Sequence, residues 1–218
     1  MTSALAIDMV SDVVCPWCFI GKRRLEKAIA LRPDIPVEVR FRPYFLNPWL
    51  PREGISRNEY LTTKFGSPEH YRNIAQRVAL AAAAEGLTYK LDEIKRQPNT
   101  LDCHRLILWA GDSAARMKQR VMELYFAEGA DLTDRDVLVT AAAACGLDAP
   151  RVRERLASET DVERITREAD SAKEAGINGV PCFIFGDYIA VQGAQAPEHL
   201  AQAIARAANE QAERQPAD

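Results

Sequence analysis

Ala4-Leu5-Ala6-Ile7-Asp8-Met9-Val10-Ser11-Asp12-Val13-Val14-Cys15-Pro16-Trp17-Cys18-Phe19-Ile20 is the stretch on which the fold turns. Residues 4–14 form a short apolar run with branched side chains at Ile7, Val10, Val13 and Val14, which suits a buried strand, and the run stops at Cys15-Pro16. Proline is tolerated in a first helical turn because the N–H it lacks has no intrahelical partner there, and Phe19, Ile20, Leu25, Ala28 and Ile29 then recur at helical spacing. The stretch predicts a strand, a tight turn and a helix, with Cys15 at the helix N-terminus. Unpaired N–H groups and the positive end of the helix dipole favour a thiolate at that position. Cys18, one turn further in, faces the same side and can displace a mixed disulfide formed on Cys15. Taken alone, C-x-x-C spacing also fits half a zinc site or two unrelated buried thiols. The strand-turn-helix setting, with no second Cys/His pair at zinc-ligand spacing evident in the sequence, favours a redox pair.

Working outward, Val37-Glu38-Val39-Arg40-Phe41-Arg42 alternates with period two and reads as a second strand, completing a β-α-β unit. Asn47-Pro48-Trp49-Leu50-Pro51-Arg52-Glu53-Gly54 is a turn-rich connection, beyond which nearly everything to Gly176 is helical in pattern. Helices are expected from Ser67-Pro68-Glu69 to Gly86, over 100–115, 116–128, 134–145 and 161–175, with Gly146 and Gly176 at C-cap positions. The strand signal returns at Pro181-Cys182-Phe183-Ile184-Phe185 and Tyr188-Ile189-Ala190-Val191 across Gly186-Asp187, a hairpin pattern. A helix over 196–210 and a polar, frayed tail over 211–218 close the chain. The expected organisation is a discontinuous α/β domain, residues 1–50 and 161–218, interrupted by a helical subdomain, 51–160.

Composition bounds the function. The chain has 218 residues, 28 Lys+Arg against 31 Asp+Glu and 47% hydrophobic residues, the make-up of a globular protein with ample core. The longest basic run is Lys22-Arg23-Arg24, too little for a duplex-binding surface, so no nucleic-acid partner is expected. Met1 to Val14 lacks a basic start and is interrupted by Asp8 and Asp12, unlike a signal peptide, and no window reaches about 18 apolar residues. The expectation is a cytoplasmic protein with no membrane partner. In that compartment thiols stay reduced, and paired cysteines indicate metal or redox chemistry.

The C-x-x-C at a helix start, the β-α-β opening, the helical insertion and Val180-Pro181 before the third strand together resemble the thioredoxin fold of the DsbA family. More narrowly, residues 11–22 from Ser11 to Lys22, Asn99-Thr100 before His104-Arg105, Tyr125-Phe126-Ala127-Glu128-Gly129, Gly179-Val180-Pro181 and Gly193-Ala194-Gln195 resemble its FrnE-like branch. These blocks span about residues 5–200. The resemblance implies an α/β thioredoxin fold with a large all-helical insertion between its β-α-β and α-β-β-α halves. It implies thiol:disulfide oxidoreductase activity, Cys15 as nucleophile and Cys18 as resolving thiol. It further implies that Pro16 and Trp17 shape the site, and that the Val180-Pro181 bond is cis beside the Cys15 sulfur, with Val180 offering backbone groups to substrate or glutathione. Trp17 carries no cation to hold the thiolate, so a less extreme thiolate and a less oxidising couple are expected than where a histidine stands between the cysteines. Trp17 as a plain apolar cover over the site is equally compatible.

The same architecture resembles 2-hydroxychromene-2-carboxylate isomerases and kappa-class glutathione transferases, which have serine in place of the first cysteine. Asn47 and Lys64 match glutathione-holding positions of those relatives, whereas Gly193-Ala194-Gln195 departs from their polar pair. Part of the Asn99–Trp109 segment is expected to face the groove above the cysteines, with His104 available for proton transfer or held as a structural histidine. His70 and His199 read as surface residues. Cys182 and Cys103 depart from the pattern, and with Cys145 read as small buried hydrophobes. The expected partners are a thiol- or disulfide-bearing protein or small molecule, with glutathione as a candidate co-substrate, no metal and no tightly held cofactor. A homodimer is compatible with these features.

Overall fold

The computed structural model describes residues 4–214. Strand β1 (Leu5–Ser11) leads into α1 (Pro16–Ala30) and returns as β2 (Val37–Pro43), parallel to β1 with Leu5 opposite Val37 and Ser11 opposite Pro43. Late in the chain β5 (Cys182–Phe185) pairs antiparallel with β1, Met9 opposite Phe183, and β6 (Ile189–Gln192) pairs antiparallel with β5. The resulting four-stranded order is β2-β1-β5-β6. Between β2 and β5 lie β3 (Ile55–Ser56), α2 (Arg57–Phe65), α3 (Pro68–Ala84), β4 (Arg96–Gln97), α4 (Leu101–Trp109), α5 (Ala114–Phe126), α6 (Arg135–Ala144), α7 (Ala149–Ala157) and α8 (Val162–Glu174); α9 (Pro197–Arg214) follows the hairpin. The insertion is helical apart from the β3–β4 ladder, whose two-residue strands are too short to leave a period-two pattern.

The sheet is buried on both faces. Ile7, Met9, Phe183 and Phe185 are fully enclosed and join the main core with Phe19, Ile20 and Leu25 of α1 and Leu200 and Ile204 of α9. On the opposite face Val10 and Cys182, paired across the ladder, pack with Tyr44 and Ile177 against Ala172 of α8. The parallel β1–β2 crossover places α1 on one face, the standard outcome of a β-α-β unit.

Three boundaries differ from the sequence reading. Strand β1 ends at Ser11 rather than Val14, because Asp12 turns the chain: its carbonyl accepts the Cys15 N–H at 3.3 Å and its carboxylate accepts the Leu46 N–H at 2.9 Å. The expected helix over 100–115 stops at Trp109 and resumes at Ala114 after a short 3-10 turn, since Gly111 takes a left-handed conformation (φ +51°) there. Helix α9 continues through Arg214, so 211–214 are helical rather than frayed, and the rest of the expected tail lies outside the described residues.

Arg105 locks the insertion together. Its side chain is fully buried on α4, and it donates to the carbonyls of Thr160 (2.8 Å), Arg155 (2.5 Å) and Ser158 (2.7 Å) and to Asp102 Oδ1 (2.6 Å). The guanidinium thereby binds three carbonyls at and beyond the C-terminus of α7, of which that of Arg155 also accepts the Ser158 N–H at 3.2 Å.

Gly21 sets how closely α1 lies on the start of β5. A Cβ built there would stand 2.8 Å from Pro181 Cγ and 3.1 Å from Phe183 Cζ, closer than packed carbons approach. Neither ring has a flexible end to swing away. Gly21→Ala is expected to lower the unfolding free energy by about 1–3 kcal/mol through overpacking, read from urea titrations; an unshifted midpoint would mean that α1 and Pro181 can separate freely.

Candidate active site

Cys15 is the N-cap of α1, with extended backbone (φ −87°, ψ 113°), and Pro16 occupies the first helical turn. Its side chain does not cap the helix. The sulfur instead lies 3.6 Å from the carbonyl oxygen of Val180, to which it donates as a thiol. The Val180–Pro181 peptide bond is cis, and the Pro181 carbonyl accepts the Gly193 N–H at 2.8 Å, which ties the start of β5 to the end of β6. Cys18 lies one turn along, its N–H bonded to the Cys15 carbonyl at 3.0 Å. Trp17 projects outward at 40% exposure, while Cys18 is fully enclosed. Burial, reinforced by the neighbouring Cys15, pushes the Cys18 thiol well above its ordinary value.

Tyr89, which follows α3, donates from its hydroxyl to the Pro16 carbonyl at 2.7 Å. Its ring stacks on Phe126 (centroids 4.6 Å apart) and Phe19 (6.0 Å). Burial raises its phenol, as do the two cysteines beside it, so it is a neutral donor. The same ring walls a cavity of about 700 Å³ between α2 and α3, lined also by Arg57, Leu61, Tyr71, Arg72 and Ile94.

The residues matched to the glutathione-dependent relatives, Asn47 and Lys64, form one pair, apart from Asn99 and His104. Asn47 is buried and its Oδ1 accepts from Lys64 Nζ. Lys64 is exposed as a whole, but its ammonium end is drawn against Asn47 and the Tyr60 ring (5.6 Å), and desolvation there lowers its pKa against the opposing pull of Asp12 and Cys15. Asn99 spends its amide locally, donating to the Leu50 carbonyl at 2.8 Å and accepting the Leu101 N–H at 3.0 Å. Asn47, Asn99 and Asp12 share the lining of a cavity of about 260 Å³. His104 is enclosed at 4% exposure, lines a different cavity under β2, and sits edge-on to Phe45. Burial lowers its pKa, which makes it neutral near pH 7. His70 and His199 are exposed.

Beneath the cysteines lies a buried charged group. Asp12 Oδ1 and His104 Nε2 stand 3.4 Å apart without the alignment of a hydrogen bond, so both atoms lack a partner. Lys118, on α5, is fully buried and its Nζ also lacks one. Cys103 joins the main core and burial pushes its thiol well up; Cys182 lies in the separate cluster on the far sheet face, and Cys145 is buried at the end of α6. Among the described residues no three His, Cys, Asp or Glu side chains gather as a metal site, and no helix is long and apolar enough to cross a membrane.

Gly21, Tyr89, Asp12 and Lys118 did not emerge from the sequence as site residues. Lys118 had a signal: it occupies the apolar face of α5, at i relative to Val121, Met122 and Tyr125. Asp12, an acid closing an apolar run, had a weaker one. Tyr89 and Gly21 had none, because their partners are distant in sequence.

The model of the DSBA-like thioredoxin domain matches residues 6–205. The chain belongs to this family. Its structure superposes on a probable DsbA oxidoreductase, SCO1869 from Streptomyces coelicolor, with a TM-score of 0.87 and 32% identity, covering 98% of this chain and 93% of that one. A 2-hydroxychromene-2-carboxylate isomerase shares the fold at a TM-score of 0.70 and 17% identity, over 95% of this DSBA-like chain and 98% of that one. The uncharacterized protein YwbO of Bacillus subtilis (strain 168) is 28% identical over 213 residues, 91% of this chain and 94% of its own length.

Burial pushes the Lys118 amine down to about 8, against the opposing pull of Cys18 and Asp12. An unfolded lysine holds its proton to about 10.4, so the folded chain binds fewer protons between roughly pH 8 and 10.4, and this residue's contribution to stability rises with pH across that window. Lys118→Met should therefore be more stable than the parent below about pH 8, by on the order of 2–3 kcal/mol, with the gap closing towards pH 10. Urea unfolding at pH 7 and pH 9.5 reads the difference; a variant less stable than the parent at pH 7 would show that the ammonium is well solvated in place.

Proposed function

We propose that the protein is a thiol:disulfide oxidoreductase working through Cys15 and Cys18. The observation that carries this reading is the Cys15 sulfur at the N-terminus of α1, buried at 4% exposure and 3.6 Å from the Val180 carbonyl, with a second, fully enclosed thiol one turn behind it. The Cys15 thiolate attacks a substrate disulfide, R–S–S–R′, forming a Cys15–S–S–R mixed disulfide and releasing R′–S⁻. The Cys18 thiolate then attacks the Cys15 sulfur, the intramolecular disulfide forms, and R–S⁻ departs; the protein loses two electrons and the substrate gains them. Run backwards, the same steps oxidise a substrate dithiol.

An extended substrate segment would lie along residues 179–181 and take its orientation from Val180 backbone groups. Trp17, with Trp49 stacked on Tyr60 and capped by Lys64, offers such a substrate an apolar rim carrying one cation. The substrate is a disulfide-bearing protein or small molecule, with glutathione as co-substrate, and the proposed compartment is the cytoplasm. The CPWC sequence supports a couple of moderate potential, because Trp17 brings no positive charge to Cys15.

A second reading rests on the Asn47–Lys64 pair beside Cys15 and on the fold shared with the 2-hydroxychromene-2-carboxylate isomerase: glutathione held as a cofactor, with Cys15 activating it. The backbone of Gly193 and Ala194 is engaged inside the protein, by the Pro181 carbonyl and by Arg24 (2.6 Å), which weighs against a glutathione anchor there.

Cys15→Ser is expected to abolish insulin reduction, and Cys18→Ser to accumulate mixed disulfides detectable by mass. Undiminished activity of Cys15→Ser would overturn the redox reading. Equilibration in glutathione buffers, with thiol trapping of all five cysteines, should give one intramolecular disulfide; a potential near or below about −270 mV marks a reductant and one well above the cytosolic glutathione poise an oxidant. No disulfide in any buffer, together with turnover of a chromene carboxylate when Cys18 is replaced, would move the isomerase reading to first place.

A further inference from the structure

The chain has six asparagines, and one of them, Asn178, is followed by glycine. The side-chain Cγ of an asparagine and the main-chain nitrogen of the next residue can close a five-membered ring. Glycine favours that closure, because it has no Cβ in the way and turns freely. Asn178 and Gly179 are both exposed, in the irregular segment between α8 and β5. Among the described residues neither the Asn178 side chain nor the Gly179 N–H makes a hydrogen bond. A Cβ built on Gly179 meets nothing within 4 Å, so a ring has room there. The other asparagines are protected. Asn47 precedes Pro48, which has no N–H; Asn58, Asn73 and Asn209 lie in α2, α3 and α9, and Asn99 spends both ends of its amide locally. The Asn178 segment is also short and held at both ends. Ile177 is buried beside Val10 and Cys182 and donates its N–H to the Ala172 carbonyl at 3.1 Å, and the Pro181 carbonyl is fixed by the Gly193 N–H. Between these anchors lies Val180, whose carbonyl faces the Cys15 sulfur at 3.6 Å.

We propose that Asn178-Gly179 is a self-modifying site, whose deamidation lengthens the backbone ahead of Val180 and slows thiol exchange at Cys15. The Gly179 nitrogen, having given its proton to water, attacks Asn178 Cγ. The Cγ–N bond forms as the Cγ–Nδ2 bond breaks, and ammonia leaves with a proton returned by water, giving a cyclic imide. Water then opens the ring at either carbonyl. Opening at Cγ gives an ordinary aspartate; opening at the main-chain carbonyl gives an isoaspartate, in which the chain runs through Cβ and Cγ. The sum is one water consumed and one ammonia released, with no change of oxidation state. The isoaspartyl chain is one backbone atom longer, about 1.5 Å of added contour. With Ile177 and Pro181 both anchored, the added atom has to be taken up between 178 and 180, which moves the Val180 carbonyl from the Cys15 sulfur and reshapes the edge along which an extended substrate lies. The effect on rate rests on the thiol-exchange reading; the modification does not.

The test incubates the reduced full-length chain at pH 8 and follows each asparagine by trypsin digestion and mass analysis; cleavage after Lys173 and Arg206 isolates Asn178 from the other five. Asn178 is expected to convert at least tenfold faster than any of the others, and conversion no faster than theirs would overturn the proposal. The isoaspartyl protein, separated by ion exchange and freshly reduced, is then mixed with glutathione disulfide beside unincubated parent. Its Cys15 is expected to react at least threefold more slowly. Asn178→Gln, incubated in the same way, should keep its starting rate, because glutamine has to close a larger and slower ring. Equal rates for the isoaspartyl protein and the fresh parent would overturn the proposal and leave thiol exchange standing, and an equal loss in Asn178→Gln would overturn it too. A fresh parent that forms no disulfide with glutathione disulfide or insulin would remove the exchange reading and the rate effect with it, while the peptide map would still decide the deamidation.

Discussion

The close approach of α1 to Pro181, the residue just ahead of β5, is the constraint on which the site depends. It brings together two segments 160 residues apart in sequence, Gly21 and Pro181, at a distance that leaves no room for a methyl group. Because α1 is anchored there, its N-terminus is held at the Val180 carbonyl, and Cys15 meets a fixed acceptor. A thiol-exchange site needs one sulfur that a substrate disulfide can reach and one behind it within reach of the first, and Cys15, at 4% exposure, is the less enclosed of the two.

Charge inside the molecule is handled in two contrasting ways. Arg105 is as fully buried as Lys118, yet its guanidinium is saturated by three carbonyls and a carboxylate, so it ties α4 to the α7–α8 turn. Lys118, Asp12 and His104 keep unpartnered atoms. A satisfied buried charge has one preferred protonation state and acts as a strut. Burial lowers the pKa of Lys118 and of His104, so each lies nearer its neutral form than the same side chain in water. The insertion supplies both kinds of residue: Arg105 binds within it, whereas His104 of α4 and Lys118 of α5 meet Asp12 and Phe41 of the thioredoxin half.

Much of the fold was legible because its signals are local. The first strand and its turn into α1, the alternation of 37–42 and the hairpin around Gly186-Asp187 each follow from neighbours within a few residues, and each element is present in the expected place, the first strand three residues shorter than expected at its end. The misjudged boundaries were decided by tertiary hydrogen bonds or a single backbone conformation: the Asp12 carboxylate reaching Leu46, and Gly111 moving the break between two helices upstream of the expected 115/116. The β3–β4 ladder is likewise an agreement between segments forty residues apart.

By itself the sequence determined the chemistry on offer, two sulfurs at C-x-x-C spacing at the start of a helix, because helical periodicity and the position of Pro16 place them without reference to anything else. It also determined that one sheet would be assembled from both ends of the chain, since strand patterns occur only there. Only the tertiary structure decided which carbonyl faces Cys15, that Tyr89 braces Pro16, that Asn47 and Lys64 hold each other, and that Lys118 is enclosed. Those relations lie between residues tens to more than a hundred positions apart. They depend on which surfaces pack and how closely, and no periodicity within one segment carries that information.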